Sequence, residues 1–283
     1  MRAVGIWPNP EKEQVRGIVR DLSRWLAVRG VAAWCPPDLG EWAGLESAVR
    51  PVADWRAAEF VVVLGGDGTL LRAAKELSGQ GRPLLGVNLG HLGFLTEVEV
   101  PDVYAALAEF LEGRYVLDER MMLEAAVRRH GTEVARFQAL NDVVVTKGPF
   151  ARLVDLEAYV DGSFVTTYRG DGLILSTPTG STAYSLSAGG PVVNPNLRVV
   201  LLTPICPHSF FDRSVVIGDG STVQVRVRTE HRDTLLTVDG QEGFQLEDAD
   251  EVAVARAAVP VGLVRRPGWN FYHVLRGWQK GRS

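Results

Sequence analysis

The chain has 283 residues, of which 46% are hydrophobic and 23% are charged, and its net charge at pH 7 is −4. This composition is typical of a globular protein with one large or two ordinary domains, and the negative charge argues against nonspecific binding to nucleic acid or to a membrane surface. Cys35 and Cys206, the only cysteines, lie far apart in sequence, which indicates reduced thiols and neither a disulfide framework nor a zinc site. The sequence has no signal-peptide pattern and no apolar run near the roughly 20 residues of a membrane span, so we expect a cytoplasmic protein.

The first 118 residues alternate predicted strands with predicted helices. Strands are predicted over residues 2–7, 31–34, 60–64 and 84–88, and helices over residues 15–26, 70–77 and 101–111. Residues 36–58, which are interrupted by prolines and glycines, give no clear pattern. The alternation predicts an α/β domain with a parallel sheet, whose ligands bind at the carboxyl ends of the strands.

The pattern changes near residue 118, where short predicted strands follow one another. They cover residues 120–130, 133–138, 141–146, 152–160, 163–169, 172–176, 198–205, 215–217, 222–228, 233–239, 251–257 and 259–265. Asp161-Gly162 predicts a hairpin between two of them. Such a run predicts an all-β sandwich over residues 119–265. The tail carries Phe271, Val274, Leu275 and Trp278 at helical spacing, so we expect residues 266–283 to form a helix that packs back on residues 1–118.

A glycine loop, Gly65-Gly66-Asp67-Gly68-Thr69, follows a solid apolar run and precedes a helical pattern. A helix N-terminus offers backbone N–H groups and partial positive charge, and glycines let a ligand approach closely. We therefore expect this loop to bind phosphate. A carboxylate repels phosphate, so Asp67 has a function there only if it binds a cation, accepts a proton or holds a sugar hydroxyl. The alternative is an Asp-Gly turn whose carboxylate bonds its own backbone.

Four further stretches stand out. Residues 89–94 form a second glycine-rich loop after a strand. Asn141-Asp142 at a strand start suits either a base edge and a ribose hydroxyl or a simple turn. Residues 171–191 contain seven serine and threonine hydroxyls, more than helix capping needs, which favours a polar ligand cradle. Val238-Asp239-Gly240-Gln241 on its own indicates a hairpin turn.

Together these stretches resemble the NAD kinase family. Residues 65–69 are similar to its Gly-Gly-Asp-Gly-Thr loop, residues 87–96 to its second loop, and residues 171–191 to its longest signature. Asn141-Asp142 stands where the family has Asn followed by an acid, most often Glu, so Asp142 is one methylene shorter than usual. The resemblance covers roughly residues 1–278. It implies a Rossmann-like first domain of the phosphofructokinase and diacylglycerol kinase type, and an NAD-binding second domain.

For the first domain, the resemblance implies that Asp67 is the general base on the 2′-hydroxyl of the adenosine ribose of NAD. Gly65, Gly66, Gly68 and Thr69 border the phosphates, and Gly66 and Gly68 also contact NAD. His91 and Phe94 line the NAD site.

For the second domain, the resemblance implies that Asn141 meets the adenine and Asp142 the ribose. Thr182 and Tyr184 flank the adenine, with Tyr184 coming from the same or a neighbouring subunit. Asp171, Ala183 and Ser187 lie near the nicotinamide, and Asp239 is a further NAD-binding residue.

The implied reaction is phosphorylation of NAD to NADP by ATP or polyphosphate. Mg²⁺ or another divalent cation is carried by ATP without fixed protein ligands, and no nucleic acid or membrane takes part. The family resemblance also implies a homodimer or a homotetramer. Two alternatives remain: a lipid or sphingoid kinase that shares the glycine loop, and a non-catalytic NAD-binding module.

Overall fold

The structure is a computed structural model that describes residues 2–44, 48–90, 93–148, 153–208, 213–229 and 234–280. The chain divides into two compact units, the first made of Met1–Glu119 with Val261–Ser283 and the second of Arg120–Pro260. Among the described residues, no helix has the length and apolar character needed to cross a membrane.

The strands in chain order are β1 (Ala3–Pro8), β2 (Ala32–Trp34), β3 (Val61–Leu64), β4 (Leu84–Asn88), β5 (Val98–Glu99), β6 (Val116–Arg120), β7 (Leu123–Arg129), β8 (Thr132–Ala139), β9 (Asp142–Lys147), β10 (Val154–Val160), β11 (Ser163–Gly170), β12 (Gly172–Ser176), β13 (Val199–Ile205), β14 (Val215–Gly218), β15 (Val223–Arg228), β16 (Thr234–Val238), β17 (Glu242–Leu246), β18 (Glu251–Arg256) and β19 (Val261–Arg265). The α-helices are α1 (Gln14–Val28), α2 (Pro37–Ala43), α3 (Asp67–Glu76), α4 (Val103–Leu111), α5 (Tyr184–Ser187) and α6 (Phe271–Lys280). Short 3₁₀ helices cover Val52–Ala57, Val100–Asp102 and Gly180–Thr182.

The first unit is built on one sheet with the strand order β2-β1-β3-β4-β19-β6, and β5 pairs with β4 as well. The pairings of β1 with β2 and β3, and of β4 with β3, β5 and β19, are parallel. The predicted α/β organisation with a parallel sheet is therefore confirmed.

Both faces of this sheet are covered, which explains why its strands appear in the sequence as unbroken apolar runs. Alternate side chains of the central strands share a core with α1 and α4. On the opposite face, a Cβ at Gly5 would lie 2.6 Å from the Trp55 ring, and one at Gly86 would lie 2.9 Å from Leu70 of α3. These two glycines let a bulky side chain lie directly on the strand.

Several parts of the first unit differ from the sequence-based expectation, including the short strands β5 and β6, which the sequence does not predict. Residues 36–58 contain α2 and a 3₁₀ helix, both too short to produce a clear helical period. The sequence places residues 261–265 in the β-rich domain, yet strand β19 lies in the first sheet, where Leu263 pairs with Leu84. Its apolar pattern reveals a strand but cannot reveal a partner so distant in sequence.

The second unit consists of two antiparallel sheets with the orders β11-β10-β15-β18-β7-β8 and β14-β13-β12-β9-β16-β17. One hydrophobic core contains side chains of both sheets, including Leu156, Val225, Leu173 and Leu202. This is the expected sandwich, with the Asp161-Gly162 hairpin joining β10 to β11. The prediction missed β17, whose five residues include only two large apolar side chains.

The predicted terminal helix is confirmed as α6, and Phe271 on it is buried. The Phe94 ring centroid lies 6.2 Å from that of Phe271 and 5.7 Å from that of Trp278. Helix α6 therefore packs on the second glycine-rich loop of its own unit.

Candidate functional site

The first glycine loop is a tight turn between a buried strand and a helix. Strand β3 ends at Leu64 and α3 begins at Asp67, so Gly65 and Gly66 make the turn. A Cβ at Gly65 would overlap the side chain of Thr69, whereas one at Gly66 would meet no atom within 4 Å. Gly65 is thus needed for packing, and Gly66 leaves open space at the helix start, where backbone N–H groups attract anions.

Asp67 holds the second loop. Its Oδ2 accepts the backbone N–H of Phe94 at 2.9 Å, and its Oδ1 accepts that of Leu95 at 3.1 Å. A Cβ at Gly93 would overlap this carboxylate, so only glycine fits there. The simple interpretation of an Asp-Gly turn bonding its own backbone is therefore wrong, because the carboxylate bonds a loop 27 residues away.

A carboxylate can accept about four hydrogen bonds, and the loop amides use two of these positions. Asp67 is half-buried, so the carboxylate is both oriented by the protein and reachable from solvent. Such a group can accept one further hydrogen bond from a substrate hydroxyl.

Arg265 also binds the second loop, through backbone carbonyl groups. The guanidinium is fully buried and donates to the carbonyls of Phe94 and Thr96, each at 3.2 Å. It also pairs with the carboxylates of Glu97 at 3.1 Å and Asp118 at 3.3 Å. Burial raises the pKa of Glu97, and the positive charge of Arg265 opposes that shift.

In the second unit, Asp239 organises the turn that carries Asn141. Its carboxylate accepts the backbone N–H groups of Leu140 at 2.9 Å, Asn141 at 2.7 Å and Asp142 at 3.0 Å. Asp239 and Gly240 both have positive φ in the predicted hairpin turn between β16 and β17. Asp239 is therefore a turn residue and also an anchor for residues 140–142.

Asp142 begins β9 and is almost completely buried. Burial, together with the nearby negative charge of Asp239, raises the pKa of Asp142 to about 7. Asp142 therefore exchanges its proton near neutral pH, unlike an ordinary aspartate.

The hydroxyl-rich stretch is mainly structural. Ser176 and Thr177 donate to the carbonyls of Asn141 and Leu140, at 3.2 and 2.6 Å. Ser181 donates to Pro178 and accepts from Val193, and Ser185 shares a hydrogen bond with Thr203. The expected cradle of ligand-facing hydroxyls is thus wrong for these residues, because their hydroxyls bind the protein itself.

The remaining candidates of this stretch lie around α5. Thr182 and Ala183 are half-buried, and Tyr184 and Ser187 are exposed. Burial and the charges of Cys206, Asp171 and Asp142 raise the pKa of Tyr184, so Tyr184 stays a neutral phenol at pH 7. Asp171 forms an ion pair with Lys147 at 3.0 Å.

The structure thus groups the predicted residues within each unit. Residues 65–69 and Phe94 come together in the first unit, and Asn141, Asp142 and Asp239 in the second. His91 lies outside the described residues. No group of three or more His, Cys, Asp or Glu side chains in the described ranges is arranged to hold a metal ion.

Sequence reasoning missed Lys147 and Arg265, and it identified the loop of residues 87–96 without assigning roles to Gly93 and Thr96 within it. One signal for Arg265 was available, because a charged residue directly continues the apolar strand over residues 261–264. A buried charge at such a position requires partners.

The sequence of this chain matches two family models and many known proteins. The model of the ATP-NAD kinase N-terminal domain matches residues 4–115, and that of the ATP-NAD kinase C-terminal domain matches residues 140–266. The NAD kinase of Natranaerobius thermophilus is 44% identical over 276 residues, covering 97% of this chain and 96% of that protein. The NAD kinase of Moorella thermoacetica is 46% identical over 278 residues, covering 98% of this chain and 88% of that protein.

Two solved structures of kinases are also similar to this chain. Yeast NADH kinase complexed with NADH has a TM-score of 0.91 at 25% identity, over 99% of this chain and 88% of that one. An NAD kinase from Archaeoglobus fulgidus in complex with ATP has a TM-score of 0.77 at 25% identity, over 98% of both chains. Since two family models cover most of its length and relatives above 40% identity cover nearly all of it, the chain belongs to the NAD kinase family.

Proposed function

We propose that this protein transfers the γ-phosphoryl group of ATP to the 2′-hydroxyl of the adenosine ribose of NAD, producing NADP. The observation that carries the proposal is the Asp67 carboxylate, held by two loop amides at the N-terminus of α3. Holding the loop uses two acceptor positions of this carboxylate, and a kinase needs a base for the attacking hydroxyl, which the remaining positions can supply.

Asp67 accepts the proton of the 2′-hydroxyl as the hydroxyl oxygen attacks the γ-phosphorus. The bond from that phosphorus to the bridging oxygen breaks, and ADP leaves. Phosphoryl transfer depends mainly on positioning and charge stabilisation. Residues 65–69 supply the helix N-terminus for the phosphates, with Gly65, Gly66, Gly68 and Thr69 at their border.

NAD-binding residues are proposed in each unit. Asn141 meets the adenine and Asp142 the ribose, and Thr182 and Tyr184 flank the adenine. Asp171, Ala183 and Ser187 lie toward the nicotinamide, and His91 and Phe94 line the site. We assign Asp239 an indirect part, because its carboxylate is occupied by the amides of residues 140–142.

The finer features of the family are proposed for this chain as well. The α/β domain is Rossmann-like, of the phosphofructokinase and diacylglycerol kinase type, and the β-rich domain binds NAD. Polyphosphate is an alternative donor, the protein is a homodimer or homotetramer, and it acts in the cytoplasm. Mg²⁺ or another divalent cation enters with ATP, and when bound it neutralises charge on the phosphates.

A coupled assay tests the reaction. Purified protein is incubated with NAD⁺, ATP and Mg²⁺, and NADP⁺ is detected with an NADP-specific dehydrogenase. Steady NADP⁺ formation that requires ATP is the expected result. The proposal that this protein is a kinase is wrong if no combination of donor (ATP or polyphosphate) and acceptor (NAD⁺ or NADH) gives a phosphorylated product.

The raised pKa of Asp142 predicts that NAD binding releases a proton near pH 6.5. Ribose hydroxyls donate hydrogen bonds to the ionised carboxylate and favour it, so binding shifts Asp142 from acid to carboxylate. We expect the binding enthalpy, measured by titration calorimetry at pH 6.5, to differ between phosphate and imidazole buffers. The difference should disappear in Asp142→Asn. Equal proton release by the variant would assign the proton to another group.

The raised pKa of Asp142 also makes the stability of the folded protein depend on pH. The folded protein keeps the Asp142 proton up to about pH 7, whereas the unfolded chain loses it near pH 4. Because the folded state binds more protons between these values, Asp142 lowers the free energy of unfolding as pH rises through this window. Asp142→Asn should remove that part of the pH dependence.

A further inference from the structure

One peptide group connects two opposite charges in the first unit. The carbonyl of Phe94 accepts a hydrogen bond from Nη2 of Arg265 at 3.2 Å. The N–H of Leu95, in the same peptide group, donates to Oδ1 of Asp67 at 3.1 Å. A cation and an anion therefore polarise this peptide from its two ends, which strengthens both hydrogen bonds.

Arg265 cannot easily move away from this peptide. The guanidinium is fully buried and lies 4.4 Å above the Trp269 ring. Nε contacts Asp118, and Nη1 contacts both the Thr96 carbonyl and Glu97. The planar fork therefore joins β19, β6 and the second loop in one fixed geometry, which a lysine ammonium cannot reproduce.

Other contacts also hold this loop, because the Phe94 ring packs on Phe271 and Trp278 of α6 and Leu95 is buried. Gly93 donates to Thr96 Oγ1 at 3.1 Å, and Glu97 donates through its backbone to Gly86 at 2.9 Å. Between these two points, the loop amides go to Asp67 and the carbonyls of Phe94 and Thr96 go to Arg265. The backbone of residues 94–96 is thus hydrogen-bonded to both side chains, and a shift of Arg265 is expected to move the two amides that orient the Asp67 carboxylate.

We propose that Arg265 is a positioning residue for phosphoryl transfer, acting on the Asp67 carboxylate through the peptide group that joins Phe94 to Leu95. The proposal rests on the proposed function, because it matters for turnover only if Asp67 is the base. Arg265 does not contact substrate in this proposal; it fixes the direction in which Asp67 meets the 2′-hydroxyl.

The test is a double-mutant cycle of Arg265→Lys and Asp67→Asn, with kcat and KM measured for NAD and ATP. We expect Arg265→Lys alone to lower kcat roughly 10–100-fold, because misplacing a reacting group by about 1 Å has an effect of this order. Both KM values should change less than about threefold. In the Asp67→Asn background, Arg265→Lys should change kcat less than about threefold, since the group that it positions is already gone.

A matched control is Arg129→Lys in the second unit. Arg129 also bridges two carboxylates, those of Asp250 and Glu247, and Asp250 is buried. The Arg129 side chain is 26% exposed whereas that of Arg265 is fully buried, so this variant controls for loss of a bridging arginine away from Asp67 and should keep kcat within about twofold. If its kcat falls as much as that of Arg265→Lys, loss of stability explains both and the proposal is wrong.

A second variant covers the case in which Arg265→Lys does not fold. Asp118→Asn keeps the side-chain shape and removes one charged contact of Arg265. We expect a smaller loss of kcat, about 3–10-fold, that also disappears in the Asp67→Asn background.

The outcomes separate the two proposals. If Asp67→Asn turns over normally, Asp67 is not the base, and both the mechanism and the role of Arg265 are wrong. If Asp67→Asn is strongly impaired while the second substitution lowers kcat by the same factor in both backgrounds, only the role of Arg265 is wrong.

Discussion

Replacing Asp67 with asparagine is expected to lower kcat by roughly 10²–10⁴-fold, the usual contribution of a general base. The substitution keeps the size of the side chain and one acceptor for the loop amides, so the dissociation constant for NAD should stay within about threefold. Rapid-quench or coupled kinetics give kcat, and titration calorimetry gives the affinity for NAD.

The hydrogen bonds of Asp67 require a control for this experiment. An asparagine amide would face one of the two N–H groups of Phe94 and Leu95, so the variant disturbs the loop as well as removing the carboxylate. Thr96→Val loosens the same loop, because it removes the acceptor of Gly93 N–H, and it leaves the carboxylate in place. We expect a loss of kcat below about tenfold for Thr96→Val. Equal losses in the two variants would assign Asp67 to loop positioning alone.

Gly180→Ala is expected to raise KM for NAD by roughly 10–100-fold. A Cβ at this position would overlap the carbonyl oxygen of Asn141 and would lie 2.7 Å from its Cα. Backbone atoms cannot rotate away, so the turn of residues 140–142 must shift. A lost hydrogen bond to NAD then costs about 1.5–3 kcal/mol, which corresponds to the expected change in KM.

Gly243→Ala is the matched control for Gly180→Ala. Gly243 lies in β17 of the same unit, and a Cβ there would meet no atom within 4 Å. This variant should keep the wild-type KM for NAD, and both variants should keep that for ATP. A wild-type KM for NAD in Gly180→Ala would remove the turn of residues 140–142 from NAD recognition.

Much of the fold could be predicted because local patterns decide it. The apolar run before Gly65 and the Asp-Gly pairs at residues 161 and 239 each determine a strand end or turn through short-range chemistry. The placement of β19 could not be predicted, because strand partners are chosen by packing between distant segments. Strand β17 escaped detection because its exposed face leaves too few apolar residues for a pattern.

The candidate site was predictable in its residues and not in their contacts. The sequence indicates Asp67 and Asp239 as ligand-binding residues. In the structure each carboxylate also accepts hydrogen bonds from the backbone amides of a neighbouring loop or turn. The serines and threonines after residue 175 suggested a ligand cradle, because a sequence cannot show whether a hydroxyl points outward or toward a backbone carbonyl. Arg265 was overlooked because its carboxylate partners, Glu97 and Asp118, are 168 and 147 residues away in the sequence.

This separation has a consequence for folding during synthesis. As the ribosome makes the chain, Glu97 and Asp118 emerge long before their shared cation, and the whole second unit is completed in between. The first sheet is also incomplete until β19, the strand between β4 and β6, has been made. The buried carboxylates of Glu97 and Asp118 therefore lack their arginine partner until Arg265 has been translated, so the contacts of the second loop with Arg265 form late although that loop is encoded early.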